Sequence, residues 1–213
     1  MEQHSRVSAA PFLMNDGAEK TEKILYMFSV VKPDGTTELV SEKRLRQTIG
    51  WACIGYESCV DLELILSETL KNLFDGISPH GIADALILGT TSFIERDPAY
   101  GKVAVRLQLK KLFRQVTHNS IARIDSELVY RQSFINGIIT GMELGLLDKR
   151  LADFDLEYLA QQLVVERDYL FDFMGINTLY RRYFLKYEVR HIELGQAFWM
   201  RVAMGLSFNE KDK

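Results

Sequence analysis

The sequence predicts a mainly helical protein with one β-hairpin near its N-terminal end, and three observations carry that expectation. Apolar residues recur at spacings of three and four over most of the chain. Alternation suited to strands is confined to residues 24–40, and Asp, Ser, Gly and Pro stand where helices would start and stop. With 47% hydrophobic residues, the 213-residue chain supplies a real core for one or two domains. A net charge of -3 gives no electrostatic reason to expect nucleic acid or an anionic membrane as a partner. No apolar run approaches the roughly 18 residues that a membrane span needs. The N-terminus lacks the charged-then-apolar order of a signal peptide, so the cytoplasm is the expected location. Cys53 and Cys59 make no disulfide framework and match no common zinc spacing, and two reduced thiols are expected.

Residues 1–22 are rich in Gln, His, Ser, Asn, Asp, Gly and Lys and have few apolar positions, so a mobile tail is expected there. Tyr26, Phe28, Val30 and Val31 favour a strand over 24–31. Pro33-Asp34-Gly35 supplies a turn, and 36–40 return as the second strand. Ser41 then precedes a helix with Leu45, Ile49 and Ala52 on one face, and its hydroxyl is placed to accept from an early backbone N–H. A second helix over 61–74 carries Leu62, Ile65, Leu66, Thr69, Leu70 and Leu73 and closes at Asp75-Gly76. Pro79 opens a third, with Ile82, Ala85, Leu86, Gly89 and Phe93 as its stripe, ending before Pro98. The fourth, over 99–116, sets Val103, Leu107, Lys110 and Arg114 along adjacent turns, with Leu109, Leu112 and Phe113 available to a core.

Thr117-His118-Asn119-Ser120 is the only composition shift that reads as an internal boundary. One helix is expected over 122–147 and another over 155–167, the latter carrying Leu156, Leu159, Ala160 and Leu163. Residues 168–206 begin with an aromatic run, Tyr169, Phe171, Phe173, Tyr180, Tyr183 and Phe184, read as core packing and interrupted by Arg181 and Arg182. A short polar break leads to a last helix whose stripe is Phe198, Val202 and Leu206, widened by Trp199 and Ala203, with Arg201 off that face. No internal repeat points to a solenoid.

Few residues carry an obvious chemistry. His4, His80, His118 and His191 stand in polar contexts without paired ligand spacing, so surface positions and no metal are expected. Gly101-Lys102 lacks the upstream glycine of a phosphate loop, and no Gly-x-Ser-x-Gly occurs. Asp153, Asp155 and Glu157 read as a solvated helix start favoured by the helix dipole rather than an acid pair.

Two sets of motifs point to one family. Arg167-Asp168, Met174-Gly175-Ile176, Leu179-Tyr180, Arg182-Tyr183-Phe184 and Met200-Arg201-Val202-Ala203 closely resemble the region ahead of the catalytic barrel in class I ribonucleotide reductase large subunits. Val31-Lys32-x-Asp34-Gly35-Thr36-Thr37-Glu38, Ile49-x-Trp51-Ala52, Asp75-Gly76-Ile77 and Val103-Ala104-x-Arg106-Leu107 resemble an ATP-cone, the allosteric nucleotide domain at the N-terminus of many such subunits. The resemblance implies a tail over 1–22, a cone over 23–116 made of a hairpin cap on four helices, and a helical region over 117–213 without the barrel.

It further implies ATP or dATP as effector. Lys32, Arg44 and Arg114 would supply positive donors to a triphosphate, with Glu38 and Ser41 as hydrogen-bonding partners. Pro33 replaces the family's usual arginine, and Pro79 and Ala83 stand where polar contacts are common, so the expected binding is weak. The complete family member reduces ribonucleotides with a thiyl radical, a redox-active cysteine pair, a thioredoxin-type reductant and a radical-generating small subunit, and works as an oligomer. That needs at least three cysteines, and this chain has two, so the chain alone is expected to be inactive. It reads as a fragment, split or truncated large subunit whose partner is the remaining chain. The alternative is a free-standing regulatory module that docks on reductase subunits. Leu194-Gly195 stands where the family commonly has Thr-Pro, which is expected to loosen the start of the last helix.

Overall fold

A computed structural model describes residues 27–118 and 126–210. The tail expected over 1–22 and the start of the first strand at 24–26 lie outside the described residues. The chain divides between Val103 and Ala104 into two compact units.

In the first unit, β1 (Met27–Val31) and β2 (Thr37–Ser41) pair antiparallel, with Phe28 opposite Val40 and Val30 opposite Glu38. Alternation sets the faces: Phe28, Val30 and Val40 are buried, while Val31 and Leu39 face out. Gly35, at φ +80°, takes the left-handed conformation that the tight turn requires, and its N–H donates to the Lys32 carbonyl at 2.9 Å. α1 (Glu42–Cys53) buries Leu45, Ile49 and Ala52, the face expected from their spacing. Ser41 does stand at its N-cap, but its hydroxyl makes no capping bond, contrary to expectation.

α2 (Leu62–Lys71) is capped by Asp61, whose carboxylate accepts from Glu63 N and Leu64 N. α3 (Pro79–Thr91) is capped by Ser78, which accepts from Gly81 N at 3.0 Å. Gly89 lets these two helices approach closely, since a Cβ there would lie 2.7 Å from Thr69 Oγ1. The Asp75-Gly76-Ile77 motif proves to be a clasp on β1. Asp75 accepts from Ser29 N at 2.9 Å, Gly76 N donates to Ser29 O at 2.9 Å, and Ile77 bridges Val30 in parallel. The sheet therefore gains a third, one-bridge partner.

α4 (Ala99–Thr117) starts in the first unit and continues into the second. In the second unit its Val105, Leu109, Leu112 and Phe113 are buried in one cluster with Tyr130, Phe134, Ile135 and Ile138 of α5 (Ser126–Glu143). α5 ends four residues before the expected position, where Gly145 turns left-handed at φ +70° and Leu146 and Leu147 both donate back to Gly141 O. A 3-10 turn at Lys149–Asp153 follows. α6 (Leu156–Gln161) is capped by Asp155, which accepts from Tyr158 N at 2.9 Å, so the acidic triplet is a helix start as read.

The single helix expected over 155–167 does not form. α6 stops at Gln161, Leu163 turns into the core, and Val165–Leu170 winds as a 3-10 helix that carries Asp168 inside. α7 (Phe173–Thr178) runs into a π-helical turn at Leu179–Tyr183. The aromatic run is only partly core: Phe184 is buried, Phe171, Phe173 and Tyr180 are half-buried, and Tyr169 and Tyr183 are exposed. A six-residue segment, stretches with mixed contacts and a register break defeat a periodicity argument, because none is long enough to show a stripe.

The polar break is a two-residue hairpin, β3 (Lys186–Tyr187) with β4 (Arg190–His191). α8 (Gly195–Leu206) closes the described chain. Its buried face is Ala197, Phe198 and Met204, while Val202 is half-buried and Trp199, Ala203 and Leu206 are exposed. The expected stripe is thus rotated, and the reason lies in two buried carboxylates.

Candidate functional site

Three of the five residues singled out for phosphate recognition converge beside the turn end of the hairpin. Lys32 follows β1, Glu38 lies on β2, and Arg44 lies in the first turns of α1. Lys32 Nζ reaches Glu38 Oε2 at 2.9 Å, and Arg44 Nη1 donates to Glu38 Oε1 at 2.5 Å. The three side chains keep 42%, 39% and 56% of their surface in solvent, so the pairs are open to exchange. Hydrogen bonds from Lys32 and then Arg44 hold the Glu38 carboxyl below the usual carboxylate range. Ser41 stands next to this cluster in sequence, at the junction of β2 and α1. Arg114 lies on the part of α4 that belongs to the second unit.

The turn that carries Lys32 is fixed from within. Asp34 accepts from Thr36 N at 2.9 Å and Thr36 Oγ1 at 2.6 Å, and these bonds lower its pKa. Pro33 is exposed and offers no N–H, so the turn itself contributes one cation, Lys32. Pro79 is spent on opening α3, and Ala83 is half-buried within it. On α1, Arg46 is committed elsewhere, to Glu42 at 2.8 Å and to Glu63.

The two cysteines are free thiols, Cys53 buried and Cys59 exposed. Both line an open cleft of about 540 Å³ with Gly50, Ser58, Asp61 and Tyr100, and this cleft shares no residue with the ionic cluster. Among the described residues, no three His, Cys, Asp or Glu side chains are placed to hold a metal ion. His80 and His118 are exposed as expected, and His4 lies outside the described residues. His191 is not on the surface: it is 3% exposed, stacks on Tyr180 at 4.1 Å, and its Nε2 donates to the Tyr180 carbonyl at 2.8 Å. Burial pushes its pKa down to about 4.

Sequence reasoning missed two buried polar clusters in the second unit. Glu193, 4% exposed, accepts a two-pronged bond from Arg201, Nε at 2.7 Å and Nη2 at 2.8 Å, and a third from Leu185 N at 2.5 Å. Arg201 therefore turns toward the core, across the Phe198 ring at 5.3 Å, instead of standing off the apolar face. Asp168, also 4% exposed, accepts from Tyr130 Oη at 2.5 Å and Gln196 Nε2 at 3.3 Å. Asp168 and Arg201 both lie in the motifs that carry the resemblance, Arg167-Asp168 and Met200-Arg201-Val202-Ala203, but residue spacing alone did not show that the carboxylates are buried.

Known proteins bear on most of the chain. Residues 169–213 match the family described as the ribonucleotide reductase all-alpha domain. The ribonucleoside-diphosphate reductase subunit alpha of Chlamydia pneumoniae is 33% identical over 93% of this chain and 19% of its own length. The same subunit of Chlamydia trachomatis serovar D is 34% identical over 86% of this chain and 18% of its own. That of Helicobacter pylori strain J99 is 32% identical over 87% and 23%. The chain thus spans about a fifth of the length of these curated relatives. Among the described residues, no helix is long and apolar enough to cross a membrane.

Proposed function

Because this chain is related, through most of its length, to the N-terminal region of ribonucleotide reductase large subunits, we propose that it serves as that part of such a subunit and that its first unit is an allosteric nucleotide module of the ATP-cone kind. The observation that carries the reading is the convergence of Lys32 and Arg44 on one exposed carboxylate at the hairpin end. Two exposed cations paired with one carboxylate can transfer their hydrogen bonds from Glu38 to the phosphates of ATP or dATP. Glu38 and Ser41 then become partners for the rest of the nucleotide.

Ribonucleotide reduction belongs, on this reading, to the assembly rather than to this chain. The chemistry requires a radical-carrying thiol and a redox-active pair, and Cys53 and Cys59 are two thiols, one of them buried. The remaining large-subunit chain, a radical-generating small subunit, a thioredoxin-type reductant and a second copy of the subunit would complete the enzyme.

Calorimetric titration of the 213-residue chain with ATP and dATP tests the effector site. Each missing charge-assisted contact costs about 1.5 to 3 kcal/mol, or roughly one to two powers of ten in affinity. With Pro33, Pro79 and Ala83 in place of donors, dissociation constants in the micromolar range or weaker are expected, and Lys32→Ala with Arg44→Ala should abolish the heat. Absence of heat from the unaltered chain at millimolar nucleotide would reject the site.

A further inference from the structure

We propose that Asp168 is a proton-responsive positioning residue for α8, acting through Tyr130 on the first turn of that helix.

α8 starts without a cap of its own. Leu194 holds the N-cap position and has no side chain able to accept a bond, so the first backbone N–H groups need a partner from elsewhere. Tyr130, on α5, provides it: its oxygen accepts from Gln196 N at 2.8 Å while its hydroxyl hydrogen goes to Asp168 Oδ2 at 2.5 Å. Gln196 closes the ring by donating its side-chain amide to Asp168 Oδ1 at 3.3 Å. A carboxylate in this position also meets the positive end of the helix dipole.

Gly195 makes the approach possible. A Cβ at that position would lie 2.4 Å from Asp168 Oδ1 and 3.0 Å from Oδ2, so any larger residue would push the carboxylate away. The Leu194-Gly195 sequence therefore tightens the start of α8 around Asp168 instead of loosening it.

The surroundings make the charge on Asp168 a balanced quantity. Leu109, Leu112, Phe113, Val165 and Leu194 line a small cavity beside it and withhold water. Burial raises its pKa to about 6, against the hydrogen bonds from Tyr130 and Gln196 that favour the ionised form. The titratable neighbours are few. Tyr130 from α5 is itself pushed well up, by burial first and Asp168 second. Tyr169, next in the chain, is raised by burial, with Arg106 from α4 acting to lower it and Asp168 and Glu166 to raise it. Among the described residues no ion pair to Asp168 is made, and its carboxyl ionises by exchanging a proton with solvent. When the proton binds, Tyr130 keeps only a neutral acceptor and the clamp on Gln196 N weakens.

Nuclear magnetic resonance of the 213-residue chain reads the clamp at the Gln196 amide. Between pH 4.5 and 7.5 its shift should titrate with a midpoint near 6 in the unaltered chain and stay flat in Asp168→Asn. In Tyr130→Phe, which keeps the ring, the midpoint should rise by about one unit because the bond favouring the carboxylate is gone. A merely structural Asp168 would leave that midpoint in place. A Gln196 amide that is flat in the unaltered chain, that titrates identically in Asp168→Asn, or whose midpoint ignores Tyr130→Phe overturns the proposal.

Discussion

The hairpin end of the first unit and the start of α8 in the second both place carboxylates among donors, but they do so in opposite media. Glu38 shares its two oxygens between Lys32 and Arg44 with all three side chains more than a third in solvent. Glu193 and Asp168 are each 4% exposed, and their bonds come from Arg201, Leu185, Tyr130 and Gln196, which are themselves buried or half-buried. In water an ion pair adds little to stability and reorganises freely, whereas a buried carboxylate stripped of its partner is strongly penalised. The first arrangement suits a site that must exchange one anion for another. The second suits a joint that must hold a helix in one place.

The contrast is broken most forcefully at Arg201. Removing its guanidinium by Arg201→Ala leaves Glu193 buried with only Leu185 N as a partner, and the cost expected for such an orphaned charge is about 3 to 5 kcal/mol. Denaturant unfolding followed at Trp199, with Trp51→Phe silencing the other tryptophan, measures it. Arg44→Ala, in the exposed cluster, should leave the unfolding midpoint within replicate error. Equal effects at the two arginines would erase the distinction.

The arginine comparison also marks what the sequence could reveal. Long stripes were legible: β1 and β2, and the buried faces of α1, α2 and α3, follow from residue spacing because each element exposes one side to solvent. Pro79 and Asp155 were legible as helix starts because capping is local. Convergence of Lys32, Glu38 and Arg44 was accessible for the same reason, since they lie within thirteen positions of one hairpin and helix. The stripe of α8 was not, because Arg201 and Gln196 answer carboxylates at Glu193 and Asp168, and Asp168 is 28 residues from Gln196 in sequence. Nor was the break after Gln161, where a 3-10 segment outcompetes a helix whose spacing looked adequate. Burial of His191 likewise depends on Tyr180 and the β3–β4 hairpin, neither visible in its polar neighbours.

A second test uses pH, because the buried region holds two groups displaced in opposite directions. Asp168 is raised to about 6 by burial, so as pH climbs from 4 to 6 the unfolded chain releases its proton first and stability falls. His191 is depressed to about 4 by burial, so over nearly the same window the unfolded chain holds the extra proton and stability rises with pH. Each shift is about two units from its ordinary value, or roughly 3 kcal/mol, and the two slopes nearly cancel. The unaltered chain should therefore be almost equally stable at pH 4.5 and 6.5 as read at Trp199. Asp168→Asn should expose the rising slope and His191→Gln the falling one, each by about 2 to 3 kcal/mol across the window. Parallel profiles in the two variants would mean that neither group is buried as described.

The smallest effect sharpens the comparison most directly, because it asks the same question of both carboxylates in one experiment. Glu38 is held low by Lys32 and Arg44 across a surface that ions can enter, and at 1 M salt the screening length falls to about 3 Å, close to the distances of those pairs. Its carboxyl should then titrate closer to the ordinary glutamate value than it does in dilute buffer. Asp168 owes its displacement to burial, which salt does not relieve, and its hydrogen bonds are to the neutral Tyr130 and Gln196. Carbon-detected titration of both side chains in low and high salt should therefore move Glu38 upward and leave Asp168 where it was. If Glu38 stays low in high salt, its cations are locked rather than exchangeable, and a nucleotide phosphate could not take them over without disrupting the hairpin end.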